Sequence, residues 1–257
     1  MLSSDKNIEL NRFESRAEKL LLEDSIDFLN GSESMPEYLR SPYIFFEKKI
    51  KNLIRKYDKV LEIGSGTGLH TSSLIMTGAS ITASDISKKS LEVLSLRFKN
   101  KAPNLRTAVA DMESLPFSND SFTFVICAGS LSYGKEKNVD SEIRRVLAPG
   151  GKFICVDSLN NNPIYRINRF IHFKKGSRSK MTLDNMPTIS RIKKLKKFYT
   201  IKDLRFYGSI SYLMPLISRL IGEKKSKKIS DLFDKILKIK LSAFKFVLIA
   251  ELKDSSK

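Results

Sequence analysis

No stretch of the chain approaches the roughly 18 consecutive apolar residues that a helix needs to cross a bilayer. The opening residues MLSSDKNIELNRFESRAEK also lack the apolar run of a secretory leader. Both absences predict a cytoplasmic protein. Cysteine is scarce: Cys127 and Cys155 each lie inside an apolar run that reads as a strand, so they are expected as reduced core residues and not as a disulfide framework. There is no internal repeat and no low-complexity tract. Acidic residues run short in one part only. Residues 1–151 hold 21 Lys and Arg against 20 Asp and Glu, whereas residues 152–257 hold 25 against 8, so nearly all of the net charge of +18 is C-terminal. Such asymmetry points to a surface that faces something anionic, or to lysines that simply solvate helix faces.

What is present is ordinary for a folded domain. The chain has 257 residues, 41% of them hydrophobic and 29% charged, enough to bury one substantial α/β core. Apolar residues returning every three or four positions predict a helix over 8–30, stopped by Gly31, and a second over 42–56 with Pro42 in its first turn. From Lys59 the pattern changes to short apolar runs alternating with helical segments, as a parallel sheet covered on both faces requires. The strands are expected at 60–64, 80–85, 106–111, 122–129 and 152–158, and the helices at 68–77, 87–100 and 137–147, the last ended by Pro149, Gly150 and Gly151. Residues 159–197 then break the rhythm with a long basic, aromatic-studded insertion. Beyond it come a strand at 198–206, helices at 209–222 and 226–240, and a final strand at 243–252.

The most informative segment is VLEIGSGTGLHT, residues 60–71, where an apolar strand runs into Gly64, Gly66 and Gly68 just before a helix. Glycines there permit unusual dihedrals and let a ligand approach the backbone without meeting a Cβ, while the helix start offers free N–H groups. Asp85 closes the second strand 21 residues after Gly64, where an acid can accept from ribose hydroxyls. Asp111 closes the third strand, in ADMESLPF. Ligands of open parallel sheets bind beyond the strands' carboxyl ends, so Glu62, Asp85, Asp111 and the loop after the fourth strand are expected to meet in one crevice. His70, just inside a helix start, reads as structural.

With LEIGSGTG, SITASD, ADMESLPF, SFTFVICAGSL and EIRRVLAPGGKFICVD in that order over about residues 58–158, the chain resembles the class I S-adenosylmethionine-dependent methyltransferases, in the branch similar to the ubiquinone and menaquinone methyltransferases. The resemblance implies an α/β, Rossmann-like fold: a seven-stranded, mostly parallel sheet with a late antiparallel hairpin, helices on both faces and a basic insertion after the fifth strand. Residues 1–57 would form an N-terminal helical cap and 58–257 the catalytic domain, with a lid at about 159–197. The cofactor implied is S-adenosyl-L-methionine. Glu62 and the turn of Gly64, Ser65, Gly66 and Gly68 would hold its methionine portion, Asp85 the ribose, and Ile86 would lie against the adenine. Asp111 would accept from the adenine amino group beside the Met112 backbone, and the chain at Cys127 and Ala128 would meet the cofactor's amino group. No metal site is expected.

A sulfonium methyl is already activated, so the protein chiefly aligns an acceptor and excludes water. Where a base helps, the candidates are Asp157 at the end of the fifth strand, His172 in the insertion and Tyr133 after the fourth strand. The fourth-strand loop reads CAGSLSYG and lacks the Asn- or Asp-Pro-Pro-aromatic motif that related families use on nucleobase amines, which makes nucleic acid the less expected substrate. The acceptor is expected to be a small or lipid-linked molecule, anionic in character, such as a glycan precursor of bacterial surface polysaccharide. It would meet a lid with Tyr165, Phe170 and Phe173 on its apolar face and Arg166, Arg169 and Lys174 on the other. The competing readings are a quinone or lipid acceptor met by peripheral contact with an anionic membrane, a structured RNA, and, in a different class, a nicotinamide-dependent oxidoreductase, against which Leu69 stands where a third glycine belongs. The oligomeric state stays open.

Overall fold

The structure, a computed structural model, describes residues 3–23, 26, 30–176, 178–237 and 240–253. The chain opens with α1 (Ser4–Leu22), capped by Ser3, whose Oγ accepts from Lys6 N. The expected helix over 8–30 is therefore displaced: it ends at Leu22, residues 24, 25 and 27–29 lie outside the described residues, and Gly31 opens a short 3-10 turn (Gly31–Ser34) instead of stopping a helix. Then follows α2 (Ser41–Leu53), with Pro42 in its first turn and Tyr43, Phe46 and Ile50 on its buried face.

From there strands and helices alternate: β1 (Lys59–Ile63), α3 (Thr71–Ile75), β2 (Ser80–Asp85), α4 (Lys88–Arg97), β3 (Leu105–Val109), β4 (Phe122–Ala128), α5 (Glu136–Val146) and β5 (Leu147–Ser158). The insertion folds as α6 (Pro163–Lys174), α7 (Lys180–Asp184) and α8 (Ile189–Leu195). The chain closes with β6 (Tyr199–Tyr207), α9 (Met214–Ile221), α10 (Glu223–Leu237) and β7 (Lys245–Leu252). All seven strands form one sheet in the order β3-β2-β1-β4-β5-β7-β6; β1 to β5 run parallel, and β7 is antiparallel to both β5 and β6. This is the expected Rossmann-like sheet with its late antiparallel pair.

The central strands bury both faces, because a parallel strand roofed on both sides has no solvent side to leave polar. Leu61, Val125, Cys127, Phe153 and Cys155 pack with α5 and α8, while Val60, Phe124, Ile126, Ile154 and Val156 pack with α2 and α3. One expectation fails at α5. Pro149, Gly150 and Gly151 do not end that helix; it stops at Val146, and those residues lie within β5, which pairs Leu147 with Phe122 and then Lys152 with Phe124 across a register shift. A bulge accommodates a proline and two glycines that a regular ladder would not.

The polarity expected of the insertion is also reversed at two neighbouring residues. Arg169 turns inward, 5% exposed, and donates to Leu159 O at 2.9 Å and Asn160 Oδ1 at 2.8 Å, while Phe170 of the expected apolar face is exposed. Desolvation makes a buried guanidinium costly unless carbonyls receive it, and Leu159 and Asn160 do so here. Tyr165 is buried and Arg166 and Lys174 face outward, as expected.

The insertion is held to α5 and to the loop after β4 by Arg191, whose Nη2 donates to Asp140 Oδ1 at 2.6 Å and Nη1 to Leu131 O at 3.3 Å. Its side chain is 2% exposed against 21% for Asp140, so removing the guanidinium strands a carboxylate that is largely out of water. Arg191→Ala is expected to cost about 3 kcal/mol of unfolding free energy. Urea titration measures it, and a loss below about 1 kcal/mol would mean that the pair behaves as a surface bridge.

Candidate functional site

The crevice lies beyond the carboxyl ends of β1, β2, β4 and β5, at the point where the sheet's strand order reverses direction, β2 lying to one side of β1 and β4 to the other. Its volume is about 580 Å³, in the range of small-molecule sites. Its floor follows from the first strand-to-helix turn. Gly64 has φ +64°, and a Cβ there would stand 2.4 Å from the Ser130 side chain, so no other residue fits. Gly66 has φ +53°, and a Cβ there would point into open space: the backbone is bare where a ligand would approach it.

Asp85 fastens this turn. Its Oδ2 accepts from Gly66 N and its Oδ1 from Ser87 N, both at 2.9 Å, so one carboxylate joins the loops after β1 and β2. Burial raises its pKa, and those backbone N–H groups oppose the rise. Glu62, 2% exposed, accepts from Thr71 Oγ1 at 2.6 Å. Burial pushes its carboxyl up to about 7, against the Thr71 bond and with help from the charge of Asp85. Ser65, Ile86, Met112 and Ala128 line the same crevice.

Asp111 reaches the crevice from two residues past β3, in an isolated bridge to Ser114, instead of closing the strand itself. Both its oxygens are engaged, Oδ1 by Glu113 N at 2.9 Å and Oδ2 by Lys6 Nζ at 2.5 Å. Lys6 belongs to α1, which roofs the crevice together with the insertion. Glu9 of α1 accepts from Ser179 N and Thr182 Oγ1, and Asp5 from Met181 N.

Three expected residues do not line the crevice. Gly68 lies against α4, where a Cβ would stand 2.8 Å from Phe98 and 3.0 Å from Leu94. The Cys127 side chain turns into the core, its Sγ 3.0 Å from Ser130 Oγ, and burial pushes the thiol up to about 12, which leaves it inert. His172 sits exposed in the last turn of α6, away from the crevice. Asp157 and Tyr133 do line it. Asp157 is fully buried and accepts from Leu131 N at 3.0 Å and Ser158 N at 2.6 Å; burial raises its pKa, and Lys245 lowers it. Tyr133 takes a 3.4 Å bond from Arg12 Nη2 and meets Phe13 edge-on at 5.2 Å.

The residues that sequence reasoning missed come from elements far apart in the chain. His70 stacks on Tyr43 with ring centroids 5.1 Å apart, its Nδ1 has no hydrogen-bond partner among the described residues, and burial with the charge of Lys245 lowers its pKa to about 4. It is therefore a neutral wall residue and not only a structural one. Lys245, 8% exposed, lies 5.1 Å from the Tyr43 ring and 3.3 Å from Ser158 Oγ. Neither it nor Arg178 has a carboxylate within ion-pairing distance among the described residues. No local signal marks Lys245; it enters the crevice because β7 pairs antiparallel with β5, Lys245 opposite Ser158.

Comparison with known proteins agrees with the fold. The profile of the family described as "Methyltransferase domain" matches residues 60–151. A demethylmenaquinone methyltransferase of Clavibacter sepedonicus is 32% identical over 123 residues, which are 46% of this chain and 48% of that protein. The chain spans about half the length of the curated relatives it matches. Among solved structures, geranyl diphosphate C-methyltransferase from Streptomyces coelicolor A3(2), in complex with Mg2+, geranyl diphosphate and S-adenosyl-L-homocysteine, shares the fold: TM-score 0.58 and 18% identity, over 84% of this chain and 80% of that one. The [4+2]-cyclase SpnF shares it too, with TM-score 0.58 and 15% identity over 81% and 80%, so the fold by itself does not fix the reaction.

The raised pKa of Glu62 has a sign that can be checked. Between the ordinary carboxylate value and about 7 the folded state binds a proton that the unfolded state has released, so stability is full at low pH and falls as pH rises through about 7. Glu62→Gln removes this loss. Thermal unfolding of the variant should lose less stability than wild type between mildly acidic and mildly alkaline pH, and parallel profiles would show that Glu62 stays ionised in the fold. Residues 60–151 match the methyltransferase-domain family, and the sheet order and glycine turn around them are those of the fold shared with the solved methyltransferases.

Proposed function

We propose that the protein transfers a methyl group from S-adenosylmethionine to a small anionic acceptor. The observation that carries this reading is the convergence in one crevice of a bare glycine turn, the Asp85 carboxylate at the end of β2 and Asp111 beyond β3. The residues fit an adenosyl donor: Gly66 leaves space above its backbone, and the Asp85 carboxylate, with about four acceptor sites and the N–H groups of Gly66, Ser87 and Ile86 on it, keeps a lone pair for a hydroxyl. When bound, S-adenosylmethionine supplies an activated sulfonium methyl, so little covalent chemistry falls to the chain.

The chain's own residues then divide the work. The turn and Asp85 orient the donor half, and α1 with the insertion excludes water from above. Across the crevice stand Asp157, Tyr133, Lys245 and Arg178. Asp157, with its pKa raised by burial, is the carboxylate that can receive a proton from an acceptor hydroxyl, whereas Tyr133 keeps its phenolic proton because burial raises its pKa further. His172 is too exposed to serve.

Two cations without carboxylate partners in a partly buried site favour an acceptor that carries a carboxylate or phosphate. A nucleotide sugar or a lipid-diphosphate-linked sugar of surface-polysaccharide synthesis has that character. Arg166 and Arg169, expected to meet this charge, do not line the crevice, so Lys245 and Arg178 take over that role.

Calorimetry with S-adenosylhomocysteine tests the donor half. Asp85→Ala should weaken binding about tenfold to a hundredfold, the worth of hydrogen bonds to a charged group. Unchanged affinity, or preferential binding of NAD, would end the methyl-transfer reading. Lys245→Met should leave that affinity intact and raise KM for a phosphorylated acceptor about tenfold; an unchanged KM would remove the anionic acceptor while leaving the donor site standing.

A further inference from the structure

Most of the large apolar residues left exposed lie on or beside three helices, α6, α9 and α10. On α6, Ile164, Ile167 and Phe170 repeat at helical spacing along the outer face. On α9, Leu216 and Leu220 are 63% and 76% exposed, and on α10, Leu232 and Ile236 are 53% and 67% exposed. Each pair is four residues apart and shares one helix face. Among the described residues nothing covers these faces.

The charges on α9 and α10 are sorted between inside and outside. Every acid of α10 is used against the body of the protein: Glu223 accepts from Glu37 N at 3.0 Å, Asp231 from Ser41 Oγ, and Asp234 from Gly208 N and Ser209 N at 2.7 and 2.9 Å. The cations Arg219, Lys224, Lys225, Lys228 and Lys235 are exposed and have no carboxylate within ion-pairing distance among the described residues. The outward surface of these helices is therefore rich in apolar and positive groups, while the acids of α10 are hydrogen-bonded to the body of the protein.

The helices form one rim. Tyr165 of α6 donates to Gly208 O at 3.1 Å, just before α9, and Asn162 at its start donates to Ser242 O at 3.1 Å, just after α10. The rim is also on the crevice side of the sheet. β5 ends at Ser158, β6 ends at Tyr207 and β7 begins at Lys245, and their antiparallel registers bring these ends together at the edge where the crevice opens.

We propose that this rim docks on an anionic membrane surface, with the outer faces of α6, α9 and α10 seated in the interfacial region and the lysines against lipid phosphates. Charge complementarity selects this occupant. A second copy of the chain would leave the same unpaired cations facing a net charge of +18, whereas an anionic leaflet supplies apolar depth and negative charge together. No helix among the described residues is long and apolar enough to cross a membrane, so the contact is peripheral. It brings the crevice opening to the lipid surface, where a lipid-linked acceptor would present its head group. The inference does not need the methyl-transfer reading.

Vesicle sedimentation of the full chain tests it, with phosphatidylcholine vesicles against vesicles containing phosphatidylglycerol. The partition coefficient should be about tenfold or more higher on the anionic vesicles and should fall with salt. The triple variant Leu216→Ser, Leu220→Ser, Ile236→Ser keeps every charge and should lower it about tenfold, with the thermal unfolding midpoint and S-adenosylhomocysteine affinity unchanged. Equal partition on neutral and anionic vesicles, or a variant that binds as well as wild type, overturns the proposal. So does concentration-dependent dimerisation that the triple variant abolishes in the absence of vesicle binding.

Discussion

The crevice depends on one buried carboxylate that stands at the end of β2 and holds two loops at once. Asp85 takes the N–H of Gly66 from the turn after β1 and that of Ser87 from its own loop, and Ser65 N adds a 3.0 Å bond to Ser84 O beneath it. Only a chain that passes Gly64 and Gly66 with positive φ can bring an N–H to that point. The arrangement costs desolvation of a charge, which shows as the raised pKa of Asp85 and still more in Glu62 beside it. A protein that needed only a stable β-α turn would have no reason to bury two carboxylates there.

The roof is made differently. Floor residues hang from a sheet buried on both faces, but α1 buries little besides Glu9 and Ala17, and it meets the insertion through hydrogen bonds from Ser179, Met181 and Thr182. Such an element belongs to the low-stability end of a structure. Rigid floor and polar-latched roof suit a site that must admit two molecules and exclude water between them.

The sequence was most legible where local pattern and global fold agree. The runs at β1, β2, β4 and β5 are apolar because both faces are buried, so their strand character and their order could be read directly, and with them the positions of Gly64, Gly66 and Asp85. Legibility failed where a tertiary partner decides the outcome. Pro149, Gly150 and Gly151 carry every local mark of a helix stop, yet a register shift against β4 absorbs them into a strand. Arg169 reads as the polar face of a lid until Leu159 O and Asn160 Oδ1 receive it inside. Lys245 has no motif around it, and its place in the crevice comes from an antiparallel pairing with a strand about ninety residues earlier. His172 carries the right chemistry but stands exposed in the last turn of α6.

A crystal structure of the protein with S-adenosylhomocysteine tests the central claim most directly, since that claim is spatial: one adenosyl ligand spans the crevice floor. The account predicts density with the ribose at Asp85 and the amino-acid portion over Gly64 to Gly66. Density that leaves this turn bare, or a ligand bound on another face of the sheet, would contradict it.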